Sequence, residues 1–209
     1  MSVTATTELW VFIGGGLLLG AALLELAYGV YRHGIGPTPS GLAAREALAE
    51  MCCDETRRGR EYNPAGPLTI YELGSGWGGL SLKIARALSR PPHSDAQSVR
   101  VVGYEVTFTP YLTSALSALI LRAIHQSVDL EFRRADLICG LSAVQRGDLC
   151  VCYLCPAQME RIADYIEATR TLPPFTLISL TFALPNVTPS ARYVLPTLYR
   201  DPIYVYEIS

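Results

Sequence analysis

The sequence predicts an α/β domain whose mostly parallel sheet ends in an antiparallel edge, preceded by one N-terminal transmembrane helix. Three observations predict it. From residue 68 onward strand-like and helix-like segments alternate, the pattern of a parallel sheet covered by helices. The first of those strands runs directly into glycines and then into a helix. Ahead of both, residues 9–31 are apolar except for Glu25.

Rising about 1.5 Å per residue, a helix over residues 9–31 crosses a hydrocarbon core roughly 30 Å thick, so its expected partner is a lipid bilayer. The rival reading is a secretory signal peptide. Against it, Glu8 stands where a basic n-region belongs, and the apolar run is longer than a usual h-region. Glu25 falls within two turns of Arg32 and His33, near the expected interface, where a carboxylate reaches headgroups at modest cost. Arg32, Arg45, Arg57, Arg58 and Arg60 follow the helix and almost no cation precedes it, which puts the large domain on the cytoplasmic or matrix-equivalent side. Gly14, Gly15, Gly16 and Gly20 permit close helix association.

Residues 34–40 hold too much glycine and proline to continue a helix, and read as a linker that ends at Ser40, a helix N-cap. Leu42, Ala44, Leu48 and Met51 give residues 41–58 a helical apolar spacing, closed by the proline-rich stretch 63–67. A strand over 68–73, a glycine turn and a helix over 79–89 come next. A second strand over 99–105 leads to a helix over 110–125, and a third over 129–134 leads to a loop through Asp136. Residues 149–154 form a buried fourth strand, 157–171 a helix and 175–182 a fifth strand. Two short strands over 192–195 and 203–208 read as a hairpin at one edge. The expected organisation is an anchor over 1–33, a linker and helix over 34–66, and the main domain over 67–209.

Composition narrows the function. At 209 residues and 50% apolar, the chain holds one ordinary domain plus a short extra element. A net charge of −2 gives no basic excess for a phosphate backbone, so nucleic acid is not an expected partner. The six cysteines match no paired zinc or disulfide framework and read as reduced; Cys150 and Cys152, two apart, point to one face of a strand as small hydrophobes. His33, His93 and His125 form no spaced ligand set, so no metal is expected. Leu73 stands where a nucleophile elbow around Ser75 would need glycine, which disfavours a hydrolase.

The chemistry concentrates at strand ends. In the first turn the backbone must bend tightly and approach a ligand without an intervening Cβ. Gly74, Gly76 and Gly78 fit a methyltransferase turn; Gly74, Gly76 and Gly79 fit a dinucleotide turn. Glu72 separates them, because a carboxylate there suits a cationic methionine moiety and repels a pyrophosphate. Glu105 ends the second strand, where it can accept both ribose hydroxyl protons, and Asp136 follows the third, where it can accept from an adenine amino group. Ligands of open parallel sheets bind at those carboxyl ends.

The transmembrane helix, Pro37-Thr38-Pro39, Glu72-Leu73-Gly74-Ser75-Gly76, Gly103-Tyr104-Glu105, Asp136-Leu137, Tyr153-Leu154-Cys155-Pro156 and Phe182-Ala183-Leu184-Pro185 resemble the membrane-anchored protein-lysine methyltransferases of ATP-synthase subunit c and the adenine nucleotide translocase, with their prokaryotic relatives. The resemblance spans nearly the whole chain. It implies a Rossmann-like class I methyltransferase sheet that takes S-adenosylmethionine as cofactor and methylates lysine on a protein at or in a membrane. Implied cofactor contacts are Pro39, Glu72, Gly74, Ser75, Gly76, Trp77, Gly78, Glu105, Asp136 and Leu137, with residues 37–40 folded over the cofactor or substrate entrance. Trp77 departs from the family's usual aspartate; it either covers the cofactor's methionine end or packs under the first helix.

Methylating an amine asks for alignment of a neutral nitrogen more than for acid–base chemistry. Tyr153, Pro156 and Thr181, with Phe182 beside it, are the expected substrate-positioning residues. Tyr153-Leu154-Cys155-Pro156 is not the Asn/Asp-Pro-Pro-Tyr motif of nucleobase amino methylation. Three other readings stay open: methylation of a lipid or small hydrophobic molecule, a scaffold that binds cofactor without turnover, and a nicotinamide oxidoreductase, which Glu72 disfavours.

Overall fold

The computed structural model describes residues 3–33, 41–62, 68–90, 99–124, 129–196 and 200–209. The expected linker with Pro37, Thr38, Pro39 and Ser40, the helix stop at 63–67, and His93 and His125 lie outside the described residues. Two compact units divide the chain, Met1–Gly36 and Pro37–Ser209. In the first, α1 (Val3–His33) contains a 22-residue stretch, Trp10–Tyr31, that is long and apolar enough to cross a membrane.

The second unit is a seven-stranded mixed sheet. Its strands are β1 (Leu68–Leu73), β2 (Val99–Tyr104), β3 (Asp129–Arg133), β4 (Leu149–Cys152), β5 (Phe175–Leu180), β6 (Ala191–Val194) and β7 (Pro202–Ile208). They lie in the order β3-β2-β1-β4-β5-β7-β6. The first five pair in parallel, and β7 runs antiparallel to both β5 and β6, which gives the expected antiparallel edge. The chain steps outward from β1 to β3, then returns to the other side of β1, so the strand order switches between β1 and β4, and ligands of open parallel sheets bind at the carboxyl end of such a switch.

Helices cover both faces. On one lie α2 (Leu42–Tyr62), α3 (Gly79–Leu88) and α4 (Phe108–Ile124), which pack Leu48, Ile84 and Leu121 against Ile70, Val101 and Leu130. On the other lie α5 (Leu137–Ser142) and α6 (Pro156–Ala168), with Leu141, Met159 and Ile162 against Tyr71, Val102 and Cys152. Cys150 and Cys152 share that second core. Among the described residues all six cysteines are free, and Cys139 alone is exposed.

Several element ends shift by a few residues, and three departures from the sequence reading have a local reason. The helix expected within a linker region belongs to the main unit, because α2 buries Ala44, Leu48, Ala49 and Cys52. The loop through Asp136 becomes α5, because the Asp136 carboxylate accepts the Ile138 amide at 3.0 Å and caps a short helix. Strand β5 stops at Leu180, two residues early, because Thr181 takes φ 71° and the Phe182 amide bonds back to the Leu180 carbonyl at 2.9 Å. That is a γ-turn of the rare, strained hand.

The burial of α2 sets a stability contrast. Leu48→Ala, at a fully buried site, is expected to cost about 2–5 kcal/mol. Leu42→Ala on the exposed side of the same helix is expected to stay within about 0.5 kcal/mol. Urea denaturation of the two variants checks this, and equal losses would show that α2 does not anchor the domain.

Candidate functional site

Register aligns the strand ends in one row. Arg133, Tyr104, Leu73, Cys152 and Ser179 stand opposite one another across β3, β2, β1, β4 and β5. One residue further on come Arg134, Glu105, Gly74, Tyr153 and Leu180. Thus Glu72, Gly74, Ser75, Gly76, Trp77, Gly78, Glu105, Asp136, Leu137, Tyr153, Pro156 and Thr181 all occur at this carboxyl edge or within a few residues of it. Pro39 lies outside the described residues.

The glycine turn is wound in left-handed conformations, with φ 74° at Gly74, 51° at Gly76 and 75° at Gly78. Space reinforces the demand at two of them. A Cβ on Gly74 would stand 2.5 Å from Leu154 Cδ2, and one on Gly78 would stand 2.6 Å from Ser114 Cβ and 2.7 Å from Phe132 Cζ. The first contact seats the β4 loop directly against the β1 turn.

Glu105 ties the β2 tip to that turn. Its Oε2 accepts the Gly76 amide at 2.8 Å and its Oε1 accepts the Thr107 amide at 2.7 Å. The Ser75 amide donates to the Tyr104 carbonyl at 2.8 Å, and the Gly78 amide closes back on the Ser75 carbonyl at 2.8 Å. A carboxylate offers about four lone-pair positions, so two backbone bonds leave Glu105 able to accept two more protons.

Glu72 is buried one level below. Its Oε2 accepts both the Ser81 amide, at 2.9 Å, and the Ser81 hydroxyl. Its carboxylate therefore sits under the first turn of α3, where amide dipoles favour a negative charge. Burial is the larger influence and pushes its pKa up to about 7, with the Ser81 bonds and Arg45 opposing and Glu105 adding to the rise. Ser81 escaped the sequence reading; the nine-residue spacing from Glu72 acquires meaning only when strand and helix fold together.

The remaining residues have distinct settings. Asp136 caps α5 and also pairs with Arg161, Oδ2 to Nη2 at 3.0 Å, so an adenine amine there would have to share that acceptor. Leu137 puts its side chain into the α5–α6 core. Trp77 and Tyr153 are half-buried, and Pro156 is the exposed first residue of α6. Thr181 is held by its amide, which donates to the Pro202 carbonyl at 2.7 Å, and by the adjoining Ser179 hydroxyl bond to the Phe182 carbonyl at 2.6 Å. Two buried hydroxyls, Ser75 Oγ and Thr181 Oγ1, find no hydrogen-bond partner among the described residues. Both are at this edge, where an orphaned buried polar atom is the exception that needs an explanation.

No family model matches the chain, and no curated protein matches its sequence. Solved structures do resemble it in fold. The bifunctional kinase-methyltransferase WbdD aligns at TM-score 0.50 with 12% identity, over 85% of this chain and 41% of that one. Magnesium protoporphyrin IX methyltransferase from Synechocystis PCC 6803, with SAM bound, aligns at TM-score 0.48 with 13% identity, over 88% of this chain and 91% of that one. TrmN from Thermus thermophilus aligns at 0.49 with 16% identity, over 74% of this chain and 48% of that one. The chain therefore spans about two fifths of the WbdD chain and about half of TrmN. The fold is methyltransferase-like.

Two expectations follow from the local chemistry. Because Glu72 titrates near 7 when folded and at 4.5 as a free side chain, the native state binds the extra proton between those values. Stability conferred by the protonated form is therefore present below pH 4.5 and lost as pH rises to about 7. Glu72→Gln should remove that dependence, worth on the order of 3 kcal/mol at most, in denaturation curves at pH 5 and 8; an unchanged pH slope would refute the burial argument. Thr181→Gly should relieve about 1–3 kcal/mol of backbone strain, offset in part by chain entropy, and raise the melting temperature while lowering activity. A variant that is both more stable and fully active would remove Thr181 from the site.

Proposed function

We propose that the chain is an S-adenosylmethionine-dependent methyltransferase, held at a membrane by α1, that methylates lysine on a protein at or in that membrane. The observation that carries it is the left-handed Gly74–Gly76–Gly78 turn bonded to the Glu105 carboxylate, beside a buried Ser75 hydroxyl with no partner among the described residues. The residues fit the cofactor. Bare backbone at the turn admits a nucleoside, Glu105 retains capacity for two ribose hydroxyls, and Glu72 offers negative charge below the turn for an ammonium.

When bound, S-adenosylmethionine supplies an electrophilic methyl group on a sulfonium. The chain's part is to bind, orient and exclude water. Glu105 fixes the ribose end and Asp136, sharing itself with Arg161, the adenine end. Trp77 covers the methionine end. Tyr153, Pro156 and the Thr181–Phe182 turn border the side from which an amine approaches. Apolar surroundings lower the amine's pKa and raise its neutral fraction. No strong acid–base pair is needed, and α1 supplies a high local concentration of membrane-bound acceptor. The arginine bias after α1 supports a cytoplasmic or matrix-equivalent position for the domain.

Replacing Glu105 by alanine is expected to weaken S-adenosylmethionine binding by on the order of 100-fold or more, read by calorimetry, since two hydrogen bonds to a charged acceptor are lost. Wild-type protein incubated with membranes and methyl-labelled cofactor should leave label in the protein fraction on lysine, located by mass spectrometry. Label in the organic extract would turn the reading to a lipid, and binding without transfer to a scaffold. Failure to bind the cofactor at all would sink the methyltransferase reading.

A further inference from the structure

The outward face of α4 is built like an inward one. Its buried side carries Pro110, Ser114, Ala118 and Leu121. The opposite side carries Phe108, Leu112, Leu116, Leu119, Ile120 and Ile124, each between 43% and 68% exposed. Thr109, Thr113 and Ser117 interrupt it, but six large apolar side chains on one outward face form a patch of the kind that marks an interaction surface. No acidic residue occurs from Val106 to Ile124, whereas Arg122 is exposed in the last turn and Arg134 holds its guanidinium 5.1 Å over the Phe108 ring. The apolar stripe is thus flanked by a cation at each end, the pattern of an amphipathic element on an anionic lipid surface.

The tether points to the same occupant. Between Tyr31, where the candidate span ends, and Gly41 the chain reaches at most roughly 35 Å even when fully extended. A domain so held meets the bilayer at high effective concentration, far more often than it meets a second copy. We propose that α4 is a membrane-docking helix. Its outward side chains enter the interface of the bilayer that α1 spans, and Arg122 and Arg134 reach anionic headgroups. The proposal rests on the membrane reading of α1. It also narrows the acceptor: Phe108 is three residues past Glu105, so a docked α4 brings the lip of the site to headgroup depth, and the lysine to be methylated lies within or just above that layer.

The test uses the full chain in vesicles of phosphatidylcholine with phosphatidylglycerol. Cys139 is the exposed thiol, so a Cys139→Ser background takes an environment-sensitive fluorophore at Leu116→Cys, Ile120→Cys or, as reference on the opposite face of the domain, Glu167→Cys on α6. Circular dichroism and cofactor binding establish that each variant is folded. The expected result is blue-shifted emission at positions 116 and 120, largely quenched by brominated acyl chains, with no change at 167; Arg122→Glu together with Arg134→Glu should reduce the quenching. Chains that float with vesicles but show equal, unquenched emission at all three positions overturn the α4 proposal and leave the anchor reading standing. Emission that depends on protein concentration at fixed lipid assigns the stripe to self-association and also overturns it. Chains that fail to float sink the anchor reading and the docking with it. None of these readouts depends on methyl transfer.

Discussion

The whole carboxyl edge of the sheet depends on one constraint: the chain must leave β1 in left-handed conformations and be held there by β2. Three glycines with positive φ make the turn possible, but glycine supplies freedom rather than direction. Direction comes from the Glu105 carboxylate on the Gly76 amide and from the Ser75 amide on the Tyr104 carbonyl. With the turn so placed, α3 starts at Gly79 above Glu72, and Leu154 of the β4 loop closes against Gly74. A glycine turn without the β2 carboxylate would be a hinge; with it, the turn is a rigid floor.

Polar groups at the two ends of the sheet are treated differently, and the difference locates function better than any single residue. At the amino end Asp148 is buried, and its two oxygens accept the Thr69 and Gln145 amides at 2.8 Å each. Both oxygens there are tied to backbone, although burial still pushes the Asp148 carboxyl above its ordinary value. At the carboxyl end, Glu72 is buried with its pKa raised to about 7, Ser75 and Thr181 keep orphan hydroxyls, and Thr181 sits in a strained turn. Each of these costs stability, and the positive φ of Thr181 and the two orphan hydroxyls have no counterpart at Asp148, where both oxygens accept backbone amides.

Alternation of strand-like and helix-like runs made the sheet legible in the sequence, since β1, β4 and β5 are nearly continuous buried strands of the kind a sheet covered on both faces holds, whereas the edge strand β3 alternates. The antiparallel edge was legible because the tail offers two short strands too close in sequence for a crossover connection. What was hidden depends on pairings between distant residues. The α5 helix needs the Asp136 cap, which local pattern shows as loop. The end of β5 needs the Ser179–Phe182 and Thr181–Pro202 bonds to force the turn. Glu72 was read as a ligand group, and its engagement with Ser81 belongs to tertiary structure. The apolar outward face of α4 was present in the sequence, but periodicity alone cannot tell a buried face from one left for lipid.

Those hidden pairings bear on mechanism. The proposed methyl transfer to an amine needs a nitrogen in line behind an electrophilic carbon, dry surroundings and little proton chemistry. An edge built for it should be rich in conformational constraint and poor in coupled acids and bases. Among the described residues that is the pattern: the constrained points, Gly74 to Gly78 and Thr181, rim the edge, while its carboxylates are bound to backbone amides, to Ser81 or to Arg161. A buried Glu72 near its midpoint at neutral pH adds a further consequence. A cationic ligand above it would favour the ionised form, so binding should release part of a proton and strengthen as pH rises toward and past 7. The carboxylate that weakens the empty domain at that pH would then be the one that rewards occupancy, which couples the fold's least comfortable group to the ligand it is proposed to hold.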